Sequence, residues 1–206
     1  MNGADDDGSG SVAMLEIAEA YAKGGQRPRR STLFVWHTAE EKGLIGARYF
    51  TDNPTVPRDS IVAQINIDMI GRGATADLAK GGPGYLQLLG SRRLSSELGE
   101  LVETANHARK QPFTFDYTYD AEGHPEQYYC RSDHAMYARY GIPIVFFTTG
   151  SHRDYHQVTD APQYIAYPKL TNVTQFVADV GLRVAHLDHR LVVDKPKPNP
   201  QAPCRQ

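Results

Sequence analysis

Acidic and histidine side chains occur at four points of the sequence where an apolar segment ends or a helix begins. The triplet 5–7 (DDD) precedes a helical pattern, and Glu40 and Glu41 follow the apolar segment STLFVWH. Asp68 lies inside the apolar run INIDMI, and His156 follows PIVFFTTG. Carboxylates that converge repel one another, and a divalent cation is the usual counter-charge. The four points together therefore predict a metal site.

Each point also has a structural interpretation. Three acids before a helix can cap it, because the N-terminal dipole favours negative charge by about 0.3–1 kcal/mol. Glu40 and Glu41 fit a solvated loop, and a lone histidine such as His156 is more often structural than a ligand. Asp68 is the exception, since an ionised carboxylate in a buried strand is costly unless it is paired or binds metal.

The donor types indicate which metal and which chemistry to expect. Carboxylates combined with imidazole, without thiolate, suit zinc, with manganese or cobalt as substitutes. A carboxylate that bridges two ions about 3.5–4 Å apart would make a two-metal hydrolytic centre. A remaining acid could then act as general base toward water.

The elements that must position these residues follow from the apolar pattern. Helical spacing alternates with strand-like apolar segments, which we place at 31–37, 61–70, 113–119 and 143–148. This alternation predicts a mostly parallel sheet with helices on both faces. Functional residues collect at the carboxyl ends of the strands in such sheets. The proline-rich end predicts a domain over 1–190 and an exposed tail over 191–206.

Composition restricts the class of protein. The 206 residues (22.9 kDa) suffice for one α/β domain, and 40% hydrophobic with 22% charged residues is ordinary globular composition. A net charge of -2 gives no electrostatic footprint for nucleic acid, and every apolar run is shorter than the ~20 residues that span a bilayer. Two cysteines cannot form a disulfide framework, and we expect Cys130 to be a buried thiol without a partner.

Five segments, in order, resemble the zinc-dependent exopeptidases of the bacterial leucyl aminopeptidase type: GADDDGSG, HTAEEKGLIGARYF, NIDMIGR, RSDHAMYARYGIPIVFFTTG and RDYHQVTD. The resemblance covers residues 2–160, and the helix that follows also fits. It implies a three-layer α/β/α sandwich with a mixed sheet and two zinc ions at strand ends. It also implies hydrolysis at the N-termini of peptides or proteins, in a periplasmic or secreted location.

The resemblance assigns roles to residues. Asp6 matches the carboxylate that bridges two zinc ions, and the Asp6–Asp7 peptide would be cis. Glu41 and His156 match ligands of one zinc, and Asp68 matches a ligand of the other. In the family a further histidine, in a His-x-Asp context, precedes the GADDDGSG loop. No histidine precedes that loop here, so we expect a chain without the family's first strands, whose second zinc has only Asp6 and Asp68 and whose activity is impaired.

Two further residues match catalytic groups, and two other functions stay open. Glu40 matches the general base, and Tyr155 matches the tyrosine that stabilises the oxyanion of the tetrahedral intermediate. The first alternative is a single-zinc acyl transferase of the glutaminyl cyclase kind, with Asp6, Glu41 and His156 as its ligands. The second is a non-catalytic, peptidase-like binding domain. The presence of Glu40 favours the peptidase.

Overall fold

The computed structural model describes residues 2–24 and 27–206, and its centre is a four-stranded sheet. The strands are β1 (Gln64–Ile67), β2 (Tyr85–Leu89), β3 (Thr114–Asp116) and β4 (Ile144–Thr148). They lie in the order β1-β4-β2-β3, with β1 parallel to β4, β2 parallel to β3, and β2 antiparallel to β4. The predicted mostly parallel, mixed sheet is confirmed, with 143–148 as its central strand.

Helices cover the sheet in two layers. They are α1 (Gly8–Lys23), α2 (Ile45–Asp52), α3 (Ser96–His107), α4 (His134–Ala138) and α5 (Tyr167–His186). In one layer α1 and α3 pack against α5, and in the other α2 packs against α4, which also contacts β1 and β4. The main core lies between β4 and α5, where the rings of Phe147 and Phe176 meet with centroids 5.6 Å apart.

The prediction of a buried strand over 31–37 is wrong. Within the described ranges this segment joins no strand, and Leu33 and Trp36 are 52% and 46% exposed. Aromatic and β-branched residues stabilise a strand through cross-strand neighbours, and in the described part of the chain β1 pairs with β4 alone. The segment instead lines a cavity of about 1010 Å³ together with parts of α1, β1 and α5.

The sequence interpretation also missed β2. All five residues of this strand are buried, so its sequence shows no alternation of apolar and polar side chains. Within the strand, the buried Gln87 amide donates to the Tyr85 hydroxyl at 2.7 Å. A glycine-rich loop, 71–84, precedes β2, and its sequence gives no signal of where the strand begins.

Most residues of the segment 191–206 are exposed, but two points of it are attached to the rest of the chain. Leu191 is buried in the main core. Cys204 forms a disulfide with Cys130, with their Cα atoms 5.7 Å apart, so the prediction of an unpaired thiol at Cys130 is wrong. The two cysteines lie 74 residues apart in sequence, and they meet because the segment after α5 runs back to the segment that precedes α4. Among the described helices, none combines the length and apolar character that crossing a membrane requires.

A buried lysine fastens the glycine-rich loop to α5, and its titration gives a testable prediction. Lys169 Nζ donates to the carbonyls of Gly73 (3.0 Å) and Gly82 (2.9 Å). Burial lowers the pKa of Lys169 from 10.5 to about 8. The cost of burying the ammonium is therefore present below pH 8 and disappears as the pH rises toward the unfolded value.

We expect the parent protein to gain stability relative to Lys169→Met as the pH rises. The difference between their free energies of unfolding should increase by about 2 to 3 kcal/mol between pH 7 and pH 10. Urea unfolding of both proteins at the two pH values measures this double difference. The exposed residue Lys110 provides the control, since Lys110→Met should show no such pH dependence. A double difference near zero would contradict the burial of a charged Lys169.

Candidate metal centre

The acidic triplet before α1 divides into side chains with different partners. Asp7 accepts hydrogen bonds from the backbone N–H groups of Gly10 (3.1 Å) and Met69 (3.2 Å) through its Oδ1 atom. The capping interpretation is therefore correct for Asp7, which joins the start of α1 to the end of β1. The Asp6–Asp7 peptide bond is cis, as the resemblance implies.

Asp5 and Asp160 fix the backbone of the loop that carries Asp6. Asp5 is fully buried and accepts from the N–H of Gly71 at 2.7 Å, and its other oxygen lies 3.1 Å from His152 Nε2. The carboxylate of Asp160 accepts from the N–H of Asp5 (3.0 and 3.1 Å) and from that of Asp6 (3.1 Å). These contacts fix the backbone from which the Asp6 side chain extends.

Asp6, Glu41 and His156 come together in one cluster. One potential ligand atom from each lies within 4.8 Å of the other two. His156 Nε2 is 3.3 Å from Asp6 Oδ2 and 3.2 Å from Glu41 Oε2. Three separate loops thus supply two carboxylates and an imidazole to one point, which is a donor set that zinc accepts.

Asp68 lies beside this cluster, although it is not one of its three members. Its Oδ2 accepts a hydrogen bond from the Ser132 hydroxyl at 2.8 Å, and that hydroxyl accepts from Asn66 Nδ2 at 2.9 Å. Its Oδ1 is buried and has no hydrogen-bond partner among the described residues. A buried carboxylate oxygen without a partner is costly, and a cation would satisfy it.

The acids of this region raise one another's pKa values. Burial, together with Asp68 and Glu41, raises the pKa of Asp6 to about 8. Burial, together with Asp68 and Asp133, raises the pKa of Glu40 to about 8, and burial and Asp68 raise that of Asp133 to about 7. Burial also raises the pKa of Asp68 to about 6. The cluster concentrates negative charge, so the residues present fit a divalent cation.

Glu40 and Tyr155 each adjoin a member of the cluster. Glu40 precedes Glu41 in a short 3-10 turn (Glu40–Lys42) and lines the large cavity that Asp6 and Asp68 also line. The Tyr155 ring stacks on the His156 ring with centroids 3.8 Å apart. Its hydroxyl accepts a hydrogen bond from the Arg131 guanidinium at 3.1 Å, and burial raises its pKa to about 12.

Sequence reasoning did not find the residues that support this cluster. The Ser132 hydroxyl binds Asp68, and α4, which follows it, has no side-chain cap. Asp160 and His152 were given no role. They lie about 150 residues from their partners, so spacing gives no signal for either.

Removal of the Asp160 carboxylate should weaken metal binding without removing a ligand. We expect Asp160→Ala to lower zinc affinity about 10- to 100-fold, because the amides of Asp5 and Asp6 lose their shared acceptor. Competition with a zinc chelator measures the affinity. Asp160→Asn retains one acceptor oxygen and should show a smaller loss. Equal affinities in all three proteins would rule out this supporting role.

A second, smaller cavity of about 40 Å³ lies beside the cluster. Asp68 and Tyr155 line it, together with Met69 at the end of β1 and with Tyr128 and Arg131 from the segment before α4. A group bound at Asp6, Glu41 and His156 would therefore have this cavity next to it.

Comparisons with known proteins find similar sequences. The profile of peptidase family M28 matches residues 1–181. Leucine aminopeptidase 1 of Aspergillus fumigatus is 28% identical over 179 residues, covering 80% of this chain and 42% of that protein. The chain spans less than half the length of this relative.

Solved structures give the same picture. The aminopeptidase from Aneurinibacillus sp. strain AM-1 matches with a TM-score of 0.66 and 25% identity, covering 95% of this chain and 43% of that one. LapB from Legionella pneumophila matches with a TM-score of 0.72 at 22% identity, covering 90% of this chain and 48% of the other, and supports the fold alone.

Proposed function

Because this chain belongs to peptidase family M28, we propose that it carries the catalytic centre of a zinc-dependent aminopeptidase. The observation that supports this most directly is the cluster of Asp6, Glu41 and His156, whose ligand atoms lie within 4.8 Å of one another. Asp6 would be a ligand of two zinc ions, with Glu41 and His156 completing the first site and Asp68 the second. With two carboxylates, the second ion should be held more weakly than the first.

Zinc, when bound, supplies positive charge that polarises the scissile carbonyl and lowers the pKa of water. Glu40 accepts a proton from the attacking water and returns it to the leaving amine. Burial and the neighbouring acids raise the pKa of Glu40 to about 8, and the positive charge of bound zinc would lower it again, which leaves the carboxylate ionised and able to accept that proton.

Tyr155 stabilises the oxyanion that forms on the substrate carbonyl. Since its hydroxyl accepts a hydrogen bond from Arg131, its own proton stays available for donation. Burial keeps the pKa of Tyr155 raised, to about 12, so the phenol remains protonated throughout the neutral range.

A single-zinc acyl transferase of the glutaminyl cyclase kind is the second candidate. Among the described residues the tight cluster has three members, Asp6, Glu41 and His156, and three protein ligands are what a single catalytic zinc requires, which favours this candidate. The buried, unpartnered Asp68 Oδ1 in the described structure favours a second ion instead. The number of zinc ions per chain therefore separates the two functions.

The test is elemental analysis after zinc reconstitution, with turnover of leucine p-nitroanilide and cyclisation of a glutaminyl peptide measured on the same sample. About two zinc ions with release of p-nitroaniline supports the aminopeptidase. About one zinc with cyclisation supports the transferase. Zinc binding without either reaction would contradict both and favour a peptidase-like binding domain.

The disulfide supports a location outside the reducing cytosol. Such bonds persist mainly in secreted and periplasmic proteins, because cytosolic thiol systems keep cysteines reduced. A periplasmic or secreted peptidase is therefore our proposal for this chain.

A further inference from the structure

The last residues of the chain hold the segment that leads to α4. Besides the disulfide from Cys204 to Cys130, the Gln206 side chain accepts from the N–H of Tyr129 at 3.0 Å and donates to the carbonyls of Tyr119 and Ala121. The Gln206 carbonyl accepts from the N–H of Gly123 at 3.0 Å. Residues 204–206 thus contact both ends and the middle of the segment 119–130.

This segment has little burial of its own. Of residues 121–130, only Tyr129 is buried, and six are exposed. An ion pair between Arg93 and Asp120 (2.7 Å) fixes its beginning. Segments with few buried contacts open locally at a low cost in free energy. Contacts from another part of the chain therefore strongly affect how often such a segment opens.

The same segment forms one side of the small cavity beside the metal cluster. Tyr128 stacks on Tyr119 with centroids 4.8 Å apart, and its hydroxyl is 2.7 Å from Ser151 Oγ. The Arg131 guanidinium lies over the Tyr128 ring, 5.1 Å from its centroid, and donates to Tyr155. We call Tyr128 and Arg131 the cavity wall.

The tail is also anchored at its other end. Leu191 is 3% exposed within the main core, and the N–H of Lys195 donates to the carbonyl of Leu94 at 3.4 Å. Between these anchors and Cys204 the chain runs exposed over the surface. Residues 191–206 therefore connect the core to the cavity wall, with a covalent bond at the far end.

We propose that residues 191–206 are a strap that positions the cavity wall, and that Cys204 and Gln206 are positioning residues for substrate binding. The cavity adjoins Asp68 and Tyr155, so it receives the side chain of the substrate's first residue. This last step rests on the proposed aminopeptidase function, whereas the positioning of the wall does not. The strap contacts none of Asp6, Glu41 and His156, so it acts on side-chain binding and leaves the zinc content unchanged.

The first test measures order in the wall directly, on the full chain. In Cys130→Ser/Cys204→Ser and in Gln206→Ala, amide hydrogen exchange of residues 121–131 should be about tenfold faster than in the parent. Gln201→Ala changes the same residue type at an exposed position of the same tail and should exchange like the parent. The milder Gln206→Ala keeps the test valid if the double variant fails to fold. Unchanged exchange in both strap variants would overturn the proposal.

The second test compares two substrates that differ only in the side chain of their first residue. In the strap variants, KM for leucine p-nitroanilide should rise about tenfold, with kcat within about twofold of the parent. KM for glycine p-nitroanilide should stay unchanged, because this substrate places nothing in the cavity. An equal rise for both substrates would indicate general structural damage and contradict the proposal. A parent without turnover of either substrate contradicts the proposed function, while the exchange test still decides the strap.

Discussion

Glu40→Gln will reduce turnover of leucine p-nitroanilide by about 10²- to 10⁴-fold while leaving the zinc content unchanged. The substitution keeps the size and half-buried position of the side chain but removes its capacity to accept a proton. Glu40 lies outside the three-residue cluster, so its loss takes no ligand from the metal. Because the transition state loses a group that acts only during proton transfer, the effect should be on kcat rather than on KM.

Steady-state kinetics and elemental analysis on the same preparation check both parts of this expectation. Glu16→Gln, at an exposed position of α1, is the matched control and should keep the parent activity. Turnover in Glu40→Gln within about threefold of the parent would reject the role of general base. A loss of zinc in the same variant would instead indicate that Glu40 is a ligand.

Asp6→Ala will abolish turnover by a different route, since it should reduce the zinc content from about two ions per chain to about none. Asp6 carries the carboxylate that we assign to both ions, and its Oδ2 lies 3.3 Å from His156 Nε2. Its removal leaves Glu41 and His156 for one ion and Asp68 for the other, which is too few ligands for either to be held firmly.

Elemental analysis after extensive dialysis measures this loss, and Asp59→Ala, at an exposed position outside the centre, is the control. The same experiment separates the two candidate functions, because a single-zinc enzyme would fall from about one ion to none. An Asp6→Ala protein that still holds two zinc ions would refute the bridging assignment. Retention of one of two ions would mean that Asp6 is a ligand of the lost ion only.

The amino-acid pattern singled out Asp6, Glu41 and His156, which the structure brings together, but it misjudged two segments of the sheet around them. Asp68 was singled out because a carboxylate inside an apolar strand needs a counter-charge, and this reasoning uses only the residues next to Asp68 in the sequence. The segment 31–37 has strand composition, yet a strand forms only where a neighbour offers its backbone, and the sequence does not show the neighbour. For the same reason β2, buried on both faces, was missed until its pairing with β4 and β3 was known.

The sequence by itself determined which side chains are available as ligands, the order of the motifs and the α/β class of the fold. These properties depend on residue chemistry and on short-range spacing, both of which can be read along the chain. Only the tertiary structure decided which acid of the triplet caps α1, that Asp160 supports the Asp6 loop, and that Cys204 pairs with Cys130. Asp160 and Cys204 contact residues far away in sequence, and Asp7 also accepts from the distant N–H of Met69, so this geometry exists only after the helices have packed on the sheet.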